Sequence, residues 1–329
     1  MLDIPRNAGT VTGWKTIPIE DNFEPLVPIG PFASDANAIL TSSVYFGEHD
    51  NSPYTGKQQL AGSLRTIFAR KGVAKRLEKA QQLLPEGYRL LVFDAYRPLK
   101  VQQSLFRFYR DQLRAQHPEM SMDACNEATQ TYVSIPSSDP TRPSPHNTGG
   151  SVDLVIVKLP LEQAAVLQSI DEQLARDHMS PDERLNLEMQ RSAIVRQHAE
   201  MLNFGTAFDH GGDRAAIAYF EEQLAAGHTL SKADTEAAEN RRLLYQVMTE
   251  AGMQAYAAEW WHFNAPESQM GAKASGKTSA TYGAATFAAR NLAHEKFRQN
   301  VYDQMTQVQN AHDLRAVAKP WPIEVMTPH

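Results

Sequence analysis

"SPHNTGGSVDLVIV", residues 144–157, sets a histidine and an aspartate seven positions apart across a pair of glycines and then runs into an apolar stretch. Leu154, Val155, Ile156 and Val157 read as a strand buried on both faces. Asp153 stands at its mouth, and a buried charge is costly unless something compensates it. A metal ion is one such partner, and it would need further ligands from elsewhere in the chain.

Working outward, "YRLLVFDAYRP" (88–98) reads as a second buried strand. It ends at Pro98, which biases Arg97 toward an extended backbone. Helical spacing predicts a helix over 72–84, stopped by "PEG" at 85–87. It predicts another over 99–116 that buries Val101, Leu105, Tyr109 and Leu113. Residues 160–203 are rich in Gln, Glu, Leu and Ala and read as a helical insertion. Over 230–252 a helix is expected, with Ser231 as N-cap and Gly252 at its end. "MQAYAAEWWHFN" (253–264) returns as a strand.

Residues 1–60 suggest strands and loops, residues 269–286 a small-residue linker, and Phe297, Val301, Met305 and Val308 one face of a final helix. Helices and strands mix without regular alternation, which favours an α+β fold with a mainly antiparallel sheet flanked by helices. The expected division is a main domain over 1–268 with an insertion at about 160–203, the linker 269–286, and a C-terminal helical extension over 287–329. Such an extension either folds back or pairs with another copy of the chain, which leaves a homo-oligomer open.

With 329 residues, 42% hydrophobic and 21% charged, the chain can build one large domain or two small ones. A net charge of -6 offers no footprint for nucleic acid. The densest basic stretch, "KGVAKRLEK" at 71–79, reads as the solvated face of a helix. Cys125 is the single cysteine, so neither an intrachain disulfide nor a thiolate zinc site can form, and a metal must be held by nitrogen and oxygen. The N-terminal residues contain no apolar signal region and no segment reaches the ~18 apolar residues of a membrane span. The expectation is a cytoplasmic chain with no membrane partner, or a periplasmic one if a leader has been removed.

"EWWH" (259–262) supplies the missing ligands. With His146 and Asp153 it makes two imidazoles, one carboxylate and one carboxylate to spare. Catalytic zinc takes three protein ligands and keeps one position open. It lowers the pKa of water from 15.7 to about 7, and a nearby carboxylate can take the proton. Glu259 suits that second role. On a regular strand, however, positions i and i+3 face opposite sides, so Glu259 and His262 converge only if the chain bends between them or Glu259 precedes the strand. The donor set suits zinc and would also fit other first-row ions.

Each residue has a plainer reading. His49, His117, His178, His198, His228, His294, His312 and His329 default to surface or hydrogen-bonded roles. Asp153 would cap a turn, Trp260 and Trp261 would fill core, and Glu259 would pair with an arginine. Arg97 would pair with Asp94, or else present a rigid fork to a carboxylate or a developing oxyanion.

Taken in order, "DAYRP", "SPHNTGGSVD" and "EWWHF" resemble the D-alanyl-D-alanine dipeptidases, the VanX-like branch of zinc peptidases that also contain cell-wall D,D-carboxypeptidases. Ser144, His146, Gly149 and Asp153 meet the family pattern S-x-H-x-x-G-x-x-x-D, and Glu259 and His262 meet E-x-x-H. The resemblance covers roughly residues 40–265. It implies a hedgehog/D-Ala-D-Ala peptidase-like fold and one zinc ion per chain on His146, Asp153 and His262. Glu259 would be the general base, Arg97 would steady substrate or transition state, and Ser144 would hydrogen-bond the substrate. "FGTAFDH" (204–210) matches G-x-x-F-D with Gly205, Phe208 and Asp209, making Asp209 a partner of a ligand histidine or a structural loop residue.

The implied substrate is a D-amino-acid dipeptide. The alternatives are a D,D- or L,D-carboxypeptidase trimming peptidoglycan stems and a zinc-bearing binding module, which would need neither Glu259 nor Arg97. The chain departs from the family in carrying "VYFGEHDN", around Tyr45 and Phe46, where members tend to carry N-F-x-G. The insertion and the extension also lengthen it beyond compact members.

Overall fold

The computed structural model describes residues 3–30, 38–47, 52, 54, 60–130, 133–176, 178–312 and 321–323. In chain order the elements begin with β1 (Leu26–Pro28), β2 (Leu40–Thr41), β3 (Phe68–Arg70), α1 (Lys71–Gln82), β4 (Tyr88–Asp94), α2 (Leu99–Gln116) and α3 (Met122–Thr129). They continue with β5 (Ser151–Lys158), α4 (Leu161–Leu174), α5 (Pro181–His198), β6 (Glu200–Met201), α6 (Tyr219–Ala225) and α7 (Lys232–Glu250). The hairpin β7 (Gln254–Tyr256) and β8 (Glu259–Asn264), then α8 (Gln269–Ala274) and α9 (Ala289–His312), complete them. The fold is a mixed α+β arrangement. None of the described helices is long and apolar enough to cross a membrane.

The main sheet runs β2-β4-β5-β8-β7, with β6 also paired to β5, and a separate pair joins β1 to β3. β2 lies parallel to β4, while the β4–β5, β5–β8 and β7–β8 ladders are antiparallel. β5 is buried at every position but Lys158, as its unbroken apolar run requires. On α2, Val101, Leu105, Tyr109 and Leu113 all face the core. The Ser231 hydroxyl caps α7 by accepting the Asp234 N–H at 3.1 Å.

Three stretches differ from their sequence reading. Residues 253–264 form a hairpin and not one strand: Tyr256 pairs with Glu259, with a register shift after Ala255. The turn at Ala257 and Ala258 lacks the Gly, Asn or Asp that marks a hairpin. It is held from outside, since Ala257 N–H donates to the Gly9 carbonyl at 3.2 Å and Ile217 N–H to the Ala257 carbonyl at 3.0 Å.

The small residues of 269–286 mark close packing. Gly271 sits so near the Ala265 carbonyl that a Cβ there would lie 2.0 Å from its oxygen. Ser268 caps α8, Ala280 bridges Ile19, and Tyr282 is buried.

In α9, Val301 and Met305 are buried as expected, but Phe297 is exposed. The inner face is anchored by polar groups that apolar periodicity does not register. Asn291 donates to the Leu26 carbonyl at 3.0 Å, and Glu295 accepts the backbone N–H groups of Arg65 at 2.6 Å and Thr66 at 2.9 Å. Arg298 forms a buried ion pair with Glu188 of α5. Further on, the Trp321 indole donates to the Ala199 carbonyl at 2.9 Å, and Phe208 N–H donates to the Pro322 carbonyl at 2.9 Å.

Candidate metal centre

Three side chains are aligned by sheet register. Asp94 on β4 pairs with Asp153 on β5, which pairs with His262 on β8. Residues directly opposite on neighbouring strands project to the same face, so these groups lean over one spot. His146 joins them from a short 3-10 helix, His146–Thr148, just before β5. Gly149 ends that helix at φ 66°, a left-handed conformation that glycine adopts without penalty. A Cβ there would also stand 2.6 Å from Leu26 Cδ2. Mutual hydrogen bonds between the loops pin the turn: Arg97 N–H donates to the His146 carbonyl at 3.1 Å, and Asn147 Nδ2 donates to the Arg97 carbonyl at 3.1 Å.

The donors converge. His146 Nε2 lies 3.2 Å from His262 Nδ1 and 3.2 Å from Asp153 Oδ2, and His262 Nδ1 lies 2.8 Å from Asp153 Oδ1. Four-coordinate zinc with bonds of about 2.0–2.1 Å has donor–donor edges of roughly 3.3–3.4 Å, so little movement would seat an ion here. His146 Nδ1 faces the Ala95 carbonyl at 3.0 Å and Asp94 Oδ2 at 3.2 Å. That side therefore carries the proton, and the Nε2 lone pair is turned to the centre. Among the described residues this is the one group of three or more His, Cys, Asp or Glu side chains that converges in this way.

The charges reinforce one another. Burial alone would raise the Asp153 pKa, but the charges and hydrogen bonds of His146 and His262 hold it well below the usual carboxylate range. Burial pulls the other way on His146, where Asp153 more than offsets it and raises the imidazole pKa.

Glu259 opens β8, and the register shift brings its Oε2 to 3.8 Å from His262 Nδ1. The bend that the i, i+3 spacing demanded is therefore present. Burial pushes the Glu259 pKa up to about 7; the anions Asp153 and Asp209 add to this, while His262 and Arg97 oppose it.

The ion pair of Arg97 with Asp94 is present, and the same side chain lines the cavity. Its Nε donates to Asp94 Oδ2 at 2.9 Å and its Nη1 to Gln102 Oε1 at 2.8 Å, while Nη2 lies 3.8 Å from Asp153 Oδ2. Burial works against its charge, but Tyr45, Asp94 and Asp153 outweigh burial and keep it cationic.

These groups line a cavity of ≈ 190 Å³, walled also by Tyr45, Tyr109, Tyr256, Trp14, Trp261 and Met270. A shallower groove of ≈ 660 Å³, lined by Arg6, His210, Asp213 and Tyr219 among others, meets it at Glu259.

Asp209 also lines the cavity, with a left-handed φ of 67°. Its charge raises the pKa values of Glu259, Tyr45, Tyr54 and Tyr109. Ser144 lies behind the wall, buried, its hydroxyl accepting the Asn147 N–H at 3.4 Å. The structure thus brings His146, Asp153, His262, Glu259, Arg97 and Asp209 to one cavity and leaves Ser144 as a brace of the turn.

Trp260 stacks on Phe204 at 4.3 Å, while Trp261 reaches the cavity wall. His117 pairs with Glu119, His228 bonds Gln223, and His294 packs on Phe68. His49 and His329 lie outside the described residues. In the sequence Asp94 signals only a partner for Arg97, and Trp14, Tyr256, Asn264 and Met270 carry no local signal. Their roles come from strand register and from distant segments folding over the site.

Two imidazoles and a carboxylate closing on one point, flanked by a carboxyl group of raised pKa and a fixed guanidinium, make the kind of centre that metal-dependent hydrolases use. A family model described as D-ala-D-ala dipeptidase matches residues 187–279, an interval that includes Asp209, Glu259 and His262. A D-alanyl-D-alanine dipeptidase of Synechocystis is 26% identical over 262 residues, 76% of this chain and 85% of that protein. Dipeptidases of the same name from Enterococcus faecalis and Enterococcus faecium are 24% and 22% identical over 214 residues, 64% of this chain and 79% of each. The chain is thus similar in sequence to D-alanyl-D-alanine dipeptidases, the resemblance that its motifs carry.

Proposed function

We propose that this chain is a metallopeptidase that hydrolyses D-alanyl-D-alanine to two D-alanines, with zinc held by His146 Nε2, Asp153 and His262 Nδ1. The observation that carries the reading is the convergence of those three donors beside Glu259, whose Oε2 stands 3.8 Å from His262 Nδ1. The donor chemistry fits zinc. When bound, such an ion supplies Lewis acidity, polarising a carbonyl and bringing the pKa of water toward about 7.

The chain's own residues do the rest. Glu259 takes a proton from the attacking water and hands it to the leaving amine, a role its place on the cavity wall beside His262 allows. Arg97 donates to the oxygen that gains charge as the carbonyl is attacked. Asp94 holds Arg97 and His146 in place from behind. Asp209 and Arg97 place opposite charges on one cavity, which suits a zwitterionic peptide. At ≈ 190 Å³ the cavity falls below the roughly 300–1,000 Å³ of drug-sized sites, which favours a dipeptide. We read the sheet as the hedgehog/D-Ala-D-Ala peptidase-like arrangement, a reading supported by the antiparallel β4–β5–β8–β7 ladder.

One observation favours a second reading. The ≈ 660 Å³ groove that reaches Glu259 would accept the rest of a peptidoglycan stem, as a D,D- or L,D-carboxypeptidase requires. The test is D-alanine release by zinc-loaded protein from D-Ala-D-Ala and, separately, from a pentapeptide ending in D-Ala-D-Ala, each beside Glu259→Ala. Cleavage of the dipeptide alone, lost in the variant, supports the dipeptidase. Pentapeptide cleavage replaces it with the carboxypeptidase, and silence on both leaves a non-catalytic zinc module.

A further inference from the structure

We infer that Asn264 decides whether His262 can bind a metal, by fixing the imidazole proton on Nε2, and that Met270 decides which way Asn264 faces. The inference rests on the reading of His262 as a ligand.

A neutral imidazole has one N–H and one lone pair, and only the lone pair coordinates. His262 Nδ1 is the atom turned toward Asp153 and His146, so for an ion to bind there Nδ1 must give up any proton it shares with Asp153 and Nε2 must keep its own. Nε2 lies 3.1 Å from Asn264 Oδ1, an atom that can only accept. Turned over, the amide would offer N–H to Nε2, demand the lone pair there and push the proton to Nδ1, into the centre. The orientation of one buried amide therefore sets whether the site can form.

Two neighbours hold that amide. Ser151, the register partner of Asn264 across the β5–β8 ladder, has its Oγ 2.7 Å from Oδ1. A hydroxyl donates or accepts, so Ser151 tolerates either orientation. Met270 does not. Its thioether accepts only, and it lies 3.2 Å from Asn264 Nδ2. In the turned-over amide the carbonyl would face the sulfur lone pairs and the contact would be lost. Ser151 and Asn264 are fully buried, so water cannot substitute for either partner. Met270 belongs to α8, so the small-residue segment after the last strand reaches the ligand set through this one contact.

The experiment uses the full chain with isotope-labelled histidine, reading the His262 tautomer by NMR in the metal-free protein and zinc affinity by chelator competition. Wild type should keep a proton on Nε2, whether or not Nδ1 also carries one toward Asp153. Asn264→Leu should lose that preference and bind zinc about 10–100-fold more weakly, the range typical for removing an outer-shell partner. Asn264→Asp, which can only accept, should keep the tautomer and most of the affinity. Met270→Leu, which conserves volume, should give a mixture of tautomers and an intermediate affinity.

If Met270→Leu and any folded Asn264→Leu both keep the Nε2–H form and wild-type affinity, the inference is overturned. Wild type that binds no zinc would instead overturn the metal-site reading on which it rests.

Discussion

Asp153 and His262 are register partners on β5 and β8, and Asp153 Oδ1 lies 2.8 Å from His262 Nδ1. Sheet pairing alone therefore brings a carboxylate and an imidazole together, and His146 closes the triangle from the loop before β5. Without an ion the three groups must share protons, which makes the metal-free protein sensitive to pH.

The sign follows from the directions of the shifts. Asp153 is held below its unfolded value of about 3.9, so its contribution is present above that pH and lost as pH falls toward the folded pKa. His146 is held above its unfolded value of about 6.5, so its contribution is complete below that pH and lost as pH rises through the folded pKa. Chelator-treated protein should therefore be most stable between about pH 4 and 6.5 with respect to this cluster. Asp153→Asn should flatten both limbs, and zinc should remove the alkaline loss. Urea unfolding across pH, with and without chelator, checks this; identical profiles for wild type and Asp153→Asn would refute the coupling.

Glu259→Gln keeps size and polarity but cannot take a proton. Zinc content should stay within about threefold of wild type while turnover of D-Ala-D-Ala falls roughly 10²–10⁴-fold, the usual worth of a positioned acid–base group. A pKa of about 7 in the metal-free site must fall once a cation sits nearby, so the acid limb of kcat/KM should lie below neutral and vanish in the variant. Turnover near wild type would remove Glu259 from the mechanism.

Arg97→Lys separates charge from geometry. A lysine keeps the positive charge but cannot span Asp94 and Gln102 as the guanidinium does. Activity should fall about 10²–10³-fold, comparable to losing one oxyanion donor, with zinc affinity nearly unchanged. Arg97→Ala should be worse in a different way, destabilising the fold by about 3–5 kcal/mol because Asp94 is left buried without its partner. Steady-state kinetics and thermal unfolding of the two variants distinguish these effects.

The parts of this site that were legible in the sequence are those that depend on local pattern. An unbroken apolar run marked β5, helical spacing marked α2 over its observed length, and motif spacing marked His146, Asp153 and His262, which converge, with Glu259 on the same cavity. What stayed hidden depends on contacts made at a distance. The turn between β7 and β8 carries two alanines and is held by Gly9 and Ile217. Gly271 reads as flexibility in a sequence and as tight packing against Ala265 in the fold. Ser151 carries no signal in the sequence, and its hydroxyl contacts the amide beside His262. Asp94 stands behind His146 only because β4 and β5 pair in one register, which no single-chain pattern encodes.

Trp321 is where the C-terminal residues reach the site. Its indole is buried against Phe93 and donates to the Ala199 carbonyl, and the following Pro322 carbonyl accepts the Phe208 N–H. Phe208 directly precedes Asp209, whose left-handed backbone puts it on the cavity wall. Trp321→Ala should lower stability by about 3–5 kcal/mol, as large-to-small changes at buried aromatics do. If this contact steadies Asp209, and Asp209 faces the substrate's charged end, the folded variant should show a several-fold higher KM with unchanged zinc affinity, and a kcat reduced far less than KM is raised. Kinetics at a temperature well below the variant's unfolding transition, alongside zinc competition, would show the split. Equal KM values would confine Trp321 to packing and free Asp209 from dependence on the C-terminal residues.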